Sequence, residues 1–348
     1  EGVRGATINA IGSSMPELFT SLFFLFILQD NDGFSGGVGT TAGSAVFNAI
    51  VIPASVIMIV LMYGVAKGIS ISPKVVKRDG LWLIAANCVL VFFISGNVLY
   101  WWHGLGLMFL YGMYLTYMFA TMTKNTLKNS DDGIEEDNQE RKIANRFDAL
   151  LTLDLKYLVA GANVFKPTRA WPLLTLSVVV IGLACAVLVR SCDALGDTLG
   201  IPVYFIAVVL ASAATSVPDT IISVRDAAKG NYDDAVSNAL GSNIFDVCFA
   251  LGLPLFLYTL LYQPIEMTPS TIANITELMI LLLLITLVVV ILFYNSKKLG
   301  LMQFILLVAI YGIFITFILG KAVNSAWAME VSDFLHVLAS FFEWFRFW

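Results

Sequence analysis

Hydrophobic residues in this chain do not alternate with polar ones, nor do they mark one stripe of an otherwise polar helix. They come in long runs. Nine segments are apolar over about 20 residues, the length that crosses a bilayer as a helix. They lie at approximately 5–28, 43–66, 81–98, 103–122, 171–190, 203–226, 237–262, 272–294 and 300–320. Short polar connections separate most of them, among them QDNDGFSGG at 29–37 and YQPIEMTPS at 262–270. One longer polar stretch divides the chain. The pattern therefore predicts an all-α polytopic membrane protein with a first half at 1–122, a cytoplasmic linker at 123–169 and a second half at 170–321. Beyond Lys321 the aromatics Trp327, Phe334, Phe341, Phe342, Trp344, Phe345 and Trp348 alternate with Glu330, Asp333, Glu343 and Arg346. That mixture predicts an amphipathic helix at 322–348 lying in the membrane interface.

Composition excludes a water-soluble globular protein, since 58% of residues are hydrophobic, only 13% are charged and the mean hydropathy is +0.83. The net charge of -5 matters less than its distribution. If the first span runs outward from the cytoplasm, 17 of the 20 Lys and Arg residues fall on the cytoplasmic side, leaving Arg190, Lys321 and Arg346 outside. This asymmetry supports the span count and the orientation together. The first residue is Glu and no signal-like segment precedes it, so the chain is read as lacking its natural start. A multi-pass protein of the plasma membrane is expected. The acidic run DDGIEEDNQE at 131–140 reads as a solvated linker rather than a Ca2+ sensor, because EF-hand ligand spacing is absent. Cys88, Cys185, Cys192 and Cys248 show no metal-ligand spacing and are expected to be free thiols.

Polar residues inside the spans carry the chemistry. GSSMPELFTS at 12–21 places Pro16 and Glu17 near the middle of the first span. The proline removes a backbone hydrogen bond and opens the helix near Gly12, and the carboxylate is costly there unless it faces a cavity or a cation. The same grammar returns in ATSVPDTIIS at 214–223, which aligns Ser13 with Thr215, Ser14 with Ser216, Pro16 with Pro218, Glu17 with Asp219 and Ser21 with Ser223. A second block repeats too. GSAVFN at 43–48 aligns with GSNIFD at 241–246, so that Ser44 meets Ser242 and Asn48 meets Asp246. The offsets are 202 and 198 residues. By the charge-derived topology the two copies run in opposite directions, as in transporters built from inverted repeats with a site near the bilayer midplane.

The groups so brought together would be the carboxylates of Glu17, Asp219 and Asp246, the Asn48 amide, and the hydroxyls of Ser13, Ser14, Ser21, Ser44, Thr215, Ser216, Ser223 and Ser242. This is an all-oxygen set without His or Cys, which suits hard cations: Ca2+ takes 6–8 oxygen ligands, and Na+ uses the same donors. If Ca2+ and Na+ compete for Glu17 and Asp219, only an occupied and neutralised site can pass the low-dielectric middle of the protein. Obligatory exchange follows. No enzymatic activity, catalytic residue or cofactor is expected, and nothing points to nucleic acid; Ca2+, Na+ and the lipid bilayer are the expected partners. The oligomeric state is not legible.

GSSMPELFTS with GSAVFN, and SVPDT with AVSNALGSNIFD, resemble the two alpha-repeats of the cation/Ca2+ exchanger superfamily, and most of all its K+-dependent Na+/Ca2+ exchangers. The resemblance covers both helix pairs. It implies a sodium/calcium exchanger-like fold of ten core helices in two inverted groups of five, the first helix missing here. It further implies Glu17 and Asp219 as central Ca2+ ligands, with Ser13, Ser14, Thr215 and Ser216 around them. Ser44, Asn48, Ser242 and Asp246 would complete the Na+ sites. The carboxylate at position 246 is associated in the K+-dependent group with K+ transport, while some K+-independent relatives also carry it. H+/Ca2+ exchangers usually show Gly-Asn-x-x-Glu where this chain has Ser14, Met15, Pro16 and Glu17.

Three other readings fit less well. An intramembrane aspartyl protease would use Asp219 and Asp246 but not Glu17, and its Gly-x-Gly-Asp and Tyr-Asp contexts are missing. GFSGG at 33–37 matches the Gly-x-Ser-x-Gly string of serine hydrolases, but no strand precedes it and it is expected to be a turn. A cation channel would share the oxygen lining and gain nothing from carboxylates that must be neutralised before movement.

Overall fold

A computed structural model describes the chain except residues 1–2, 4, 29, 64–67, 95, 97, 122–154, 156–158, 160–166, 297 and 344–348. Most of the linker expected at 123–169, its acidic run at 131–140 included, thus lies outside the described residues. Among the described residues, each of the nine apolar runs is helical. The first is a broken pair, α1 (Gly5–Ser13) and α2 (Met15–Leu28), bent by 44°. Then come α3 (Asp30–Met62), α4 (Pro73–Ile94) and α5 (Trp101–Thr121). The second half contributes α6 (Ala170–Leu199), α7 (Val203–Ala228), α8 (Tyr232–Leu261), α9 (Pro269–Asn295) and α10 (Leu301–Ala322). A last helix, α11, spans Ala326–Glu343. Seven of these helices are long and apolar enough to cross a membrane, and the α1–α2 pair makes eight. α4 is also spanning length but carries Lys74, Lys77, Arg78 and Asp79 in its first two turns.

Two expectations are corrected. The stretch 30–37 is not a loop and GFSGG is not a turn, because α3 is helical from Asp30 onward. The glycines serve packing: a Cβ at Gly33 would stand 2.6 Å from the Phe24 carbonyl oxygen, and one at Gly36 would stand 2.6 Å from the Phe24 ring. Small residues let membrane helices approach this closely. The span expected at 171–190 likewise continues to Leu199, ending in a left-handed Gly200, so that Cys192 lies inside a helix. All four cysteines are free.

The duplication is visible in backbone geometry. Ser14 and Ser216 interrupt the helices at equivalent positions, with φ, ψ of -88°, 12° and -79°, 0°. Wide π-helical turns occupy Gly5–Asn9 and Ala207–Ala211, again related by the 202-residue offset. The copies interlock through glycine: a Cβ on Gly43 would lie 2.3 Å from the Val208 carbonyl oxygen, and one on Gly241 would lie 2.6 Å from Ala6 Cα. Val208 and Ala6 are themselves equivalent residues, so each repeat's second helix packs on the other repeat's first.

Connections pair in the same way. Val98 and Leu99 (β1) pair antiparallel with Glu266 and Ile265 (β2), while Ile69 bridges Leu299 with N–H to O distances of 2.9 and 2.8 Å. The two pairings lie at opposite ends of α4 and α9. The connections before and after α4 correspond to those before and after α9. An inverted duplication makes one pairing appear on both sides in this manner.

Candidate cation site

Both helix breaks face the middle of the molecule, and the side chains after them converge. Glu17, Asp219 and Asp246 are each fully buried, as are Asn48, Ser44, Ser216 and Ser242. The Ser242 hydroxyl donates to Asp219 Oδ1 at 2.8 Å, and Asn48 Nδ2 donates to Asp219 Oδ2 at 3.0 Å. Asn48 Nδ2 also reaches Ser44 Oγ at 3.3 Å. Ser44 Oγ in turn lies 3.1 Å from Glu17 Oε1, 2.8 Å from Ser216 Oγ and 3.2 Å from Asp246 Oδ2. These seven side chains form one connected network. It obeys the duplication, since Ser44 with Glu17 and Ser242 with Asp219 are the same pair in the two copies.

The remaining candidates sit around this network. Thr215 stands beside Glu17 and Ser13 beside Asp219, each crossing to the other repeat's carboxylate. Both are buried, and both also donate backward along their own helix, Ser13 to the Asn9 carbonyl at 2.8 Å and Thr215 to that of Ser212 at 3.2 Å. Ser14 lies beside Asp246, its hydroxyl short of a well-formed hydrogen bond. Ser21 and Ser223 are buried one turn further along and are not joined to the network directly. Ser223 Oγ accepts from Asn238 Nδ2 at 3.0 Å, and the Ser21 hydroxyl has no partner.

Four buried oxygens pointing at this region lack a hydrogen-bond donor: Glu17 Oε2, Asp246 Oδ1, Asn48 Oδ1 and Ser14 Oγ. Native structures rarely leave such atoms unmet without an ion, a water or a functional reason. Ser44 sharpens the point: its single proton faces both Glu17 and Asp246, and in the contact with Ser216 either hydroxyl can donate. The donor supply is short by construction. The carboxylates do not crowd onto one point, however. Among the described residues no three His, Cys, Asp or Glu side chains are grouped as a metal centre. Any ion bound here must draw on hydroxyl, amide and main-chain oxygens as well.

Two asparagines went unselected in the sequence. Asn238 also donates to the Asp219 carbonyl at 3.3 Å, and Asn243 donates to the Ala45 carbonyl at 2.8 Å, tying α8 to α3. Both are fully buried with an unmet Oδ1. The signal was present, since an amide inside a membrane helix is costly without a partner. Asp246 opens a π-helical turn, Asp246–Ala250, which has no counterpart after Asn48; π-turns concentrate at functional sites. His103 is structural: buried, stacked on Trp102, with Nδ1 accepting from the Tyr100 N–H at 2.9 Å.

Comparison with known proteins adds independent weight. A human protein named Sodium/potassium/calcium exchanger 5 is 26% identical over 335 residues, covering 74% of this chain and 63% of its own length. The chain thus spans less than two thirds of that relative. Among solved structures, a sodium-calcium exchanger, NCX_Mj, soaked with 10 mM Na+ and zero Ca2+, matches with a TM-score of 0.53 at 23% identity, covering 90% of this chain and 86% of its own. The H+/Ca2+ exchanger CAX matches with a TM-score of 0.56 at 12% identity, covering 95% and 83%. At these identities they establish a shared fold. The model of the family described as sodium/calcium exchanger protein matches residues 1–120 and 169–320, most of the chain on both sides of the linker, and the protein belongs to that family.

Proposed function

We propose that the chain is the ion-translocating core of a secondary active antiporter, which exchanges Ca2+ for Na+ across the plasma membrane by alternating access and carries K+ with Ca2+. The observation that carries this reading is the buried network of three carboxylates, an amide and hydroxyls drawn from both repeats, with acceptor oxygens in excess of donors. Three acids buried without counter-charge are expensive, and cations relieve that cost. Glu17 and Asp219 serve as the shared ligands, with Ser13, Ser14, Ser44, Asn48, Thr215, Ser216 and Ser242 completing the shells and Ser21 and Ser223 lining the approaches. Asp246 supplies the third negative charge, so that Ca2+ and K+ together leave the site neutral. The name of the human relative, with sodium, potassium and calcium, supports this cargo.

Mechanism follows from sharing. Na+ entering from one side takes oxygens that Ca2+ needs, which weakens Ca2+ binding, and the reverse holds when Ca2+ enters. Neither empty nor half-filled protein moves its charged site through the middle. The test is uptake of radioactive Ca2+ by reconstituted vesicles under an outward Na+ gradient, with and without K+. Uptake should follow the Na+ gradient and fall without K+. Uptake indifferent to Na+ would refute the antiporter, and uptake indifferent to K+ would remove K+ from the cargo.

A further inference from the structure

The 202-residue offset relates Asn9 to Ala211 and Phe24 to Asp226, so the pairs Asn9/Asp226 and Ala211/Phe24 are one pair seen from opposite sides of the site. Each lies beyond the carboxylates: Asp226 is two helical turns past Asp219 toward the inner side, and Phe24 two turns past Glu17 toward the outer side. Their chemistries differ. Asn9 Nδ2 donates to Asp226 Oδ2 at 3.0 Å, and both residues are half-buried. Phe24 is fully buried in an apolar cluster with Ile206, Ala207 and Ala211, and the missing side chain of Gly36 makes room for its ring. With the three site carboxylates at 0% exposure, both routes are shut at once.

We propose that the protein closes its two access paths by different means, a polar latch of Asn9 with Asp226 on the inner side and an apolar plug of Phe24 on the outer side. This rests on the alternating-access reading. An apolar constriction stops ions by excluding water. A polar latch holds only modestly, because on opening water takes up part of what the two partners lose.

The experiment measures access instead of flux. In a background with the four native cysteines replaced, Ser223→Cys reports the inner path and Ser21→Cys the outer, each labelled by a membrane-impermeant thiol reagent applied from one face of reconstituted vesicles. Asn9→Ala and Asp226→Ala should each raise inner-face labelling at position 223 by ~10-fold, the population shift expected from losing a hydrogen bond to a charged group. Outer-face labelling at 21 should stay unchanged in both. Asp226→Asn keeps an acceptor for Asn9 and should keep the path closed. Phe24→Ala should raise outer-face labelling at 21 alone. Inner labelling unmoved by both Asn9→Ala and Asp226→Ala would overturn the latch, and so would an equal rise in Asp226→Asn; unmoved outer labelling in Phe24→Ala would overturn the plug. Because labelling needs no exchange, absence of Na+-driven Ca2+ uptake would count against the antiporter and not against the gates.

Discussion

Ser44 has one hydroxyl proton and two carboxylates within 3.2 Å, those of Glu17 and Asp246, while in its contact with Ser216 either hydroxyl can donate. On the proposed function, a cation that takes a lone pair from either carboxylate would settle the competition. Ser44→Ala is expected to weaken Ca2+ affinity by ~10-fold, the order of one hydrogen bond to a charged group, measured by the Ca2+ dependence of uptake. Glu17→Gln and Asp219→Asn should each abolish Ca2+ transport while the protein still folds, because amides keep the shape and lose the charge; wild-type flux in either would mean that the site lies elsewhere. Asp246→Asn should shift the dependence on K+ or Na+ and spare Ca2+ binding, which flux titrations in each ion would read. The carboxylates and their serines were legible in the sequence because the duplication exposed them. Asn238 and Asn243 stand out in the sequence only as amides inside a span; the backbone and hydroxyl groups they hold are brought near only by the folded packing.

Among the elements, the largest departure from the apolar pattern is the start of α3. Glycine-rich, polar sequence ordinarily signals a turn, yet in a membrane protein the same glycines let α2, α3 and α7 touch backbone to backbone. Hydropathy carries no information about that choice. Gly43→Val would drive a branched side chain into the Val208 carbonyl, and we expect a destabilisation of at least ~1–3 kcal/mol, the usual cost of overpacking, seen as a lower melting temperature in detergent. At the far end, α11 was expected as an interfacial helix. Its buried face, with Ala328, Ser332, Leu335 and Ala339, rests on α9 and α10. Buried Glu277 of α9 gathers Lys321 Nζ at 3.1 Å, His336 Nε2 at 2.5 Å and the Ser332 hydroxyl. Removing one member of a buried ionic cluster strands the others and costs ~3–5 kcal/mol. Glu277→Ala should therefore lower the melting temperature more than Ser332→Ala, and hydrogen exchange should locate the loosening in α11.

At the scale of the molecule, two similar half-sites meet in one buried network. Each repeat supplies a broken helix, a carboxylate and a serine that donates to it, and the connections pair alike on both sides. This much was readable from two motifs and the distribution of Lys and Arg. The asymmetries were not: the additional π-turn at Asp246, and the polar contact at Asn9 opposite the apolar one at Phe24, arise where equivalent positions hold different residues in different surroundings. On the proposed function, the carboxylates must be neutralised by cargo before the site changes sides. Vesicles loaded with radioactive Ca2+ and diluted into medium free of Na+ and Ca2+ test it directly. Retention of Ca2+ until Na+ is added outside, followed by rapid release, is the expected result; steady release into the ion-free medium would show that the empty site moves or conducts, and would contradict the account.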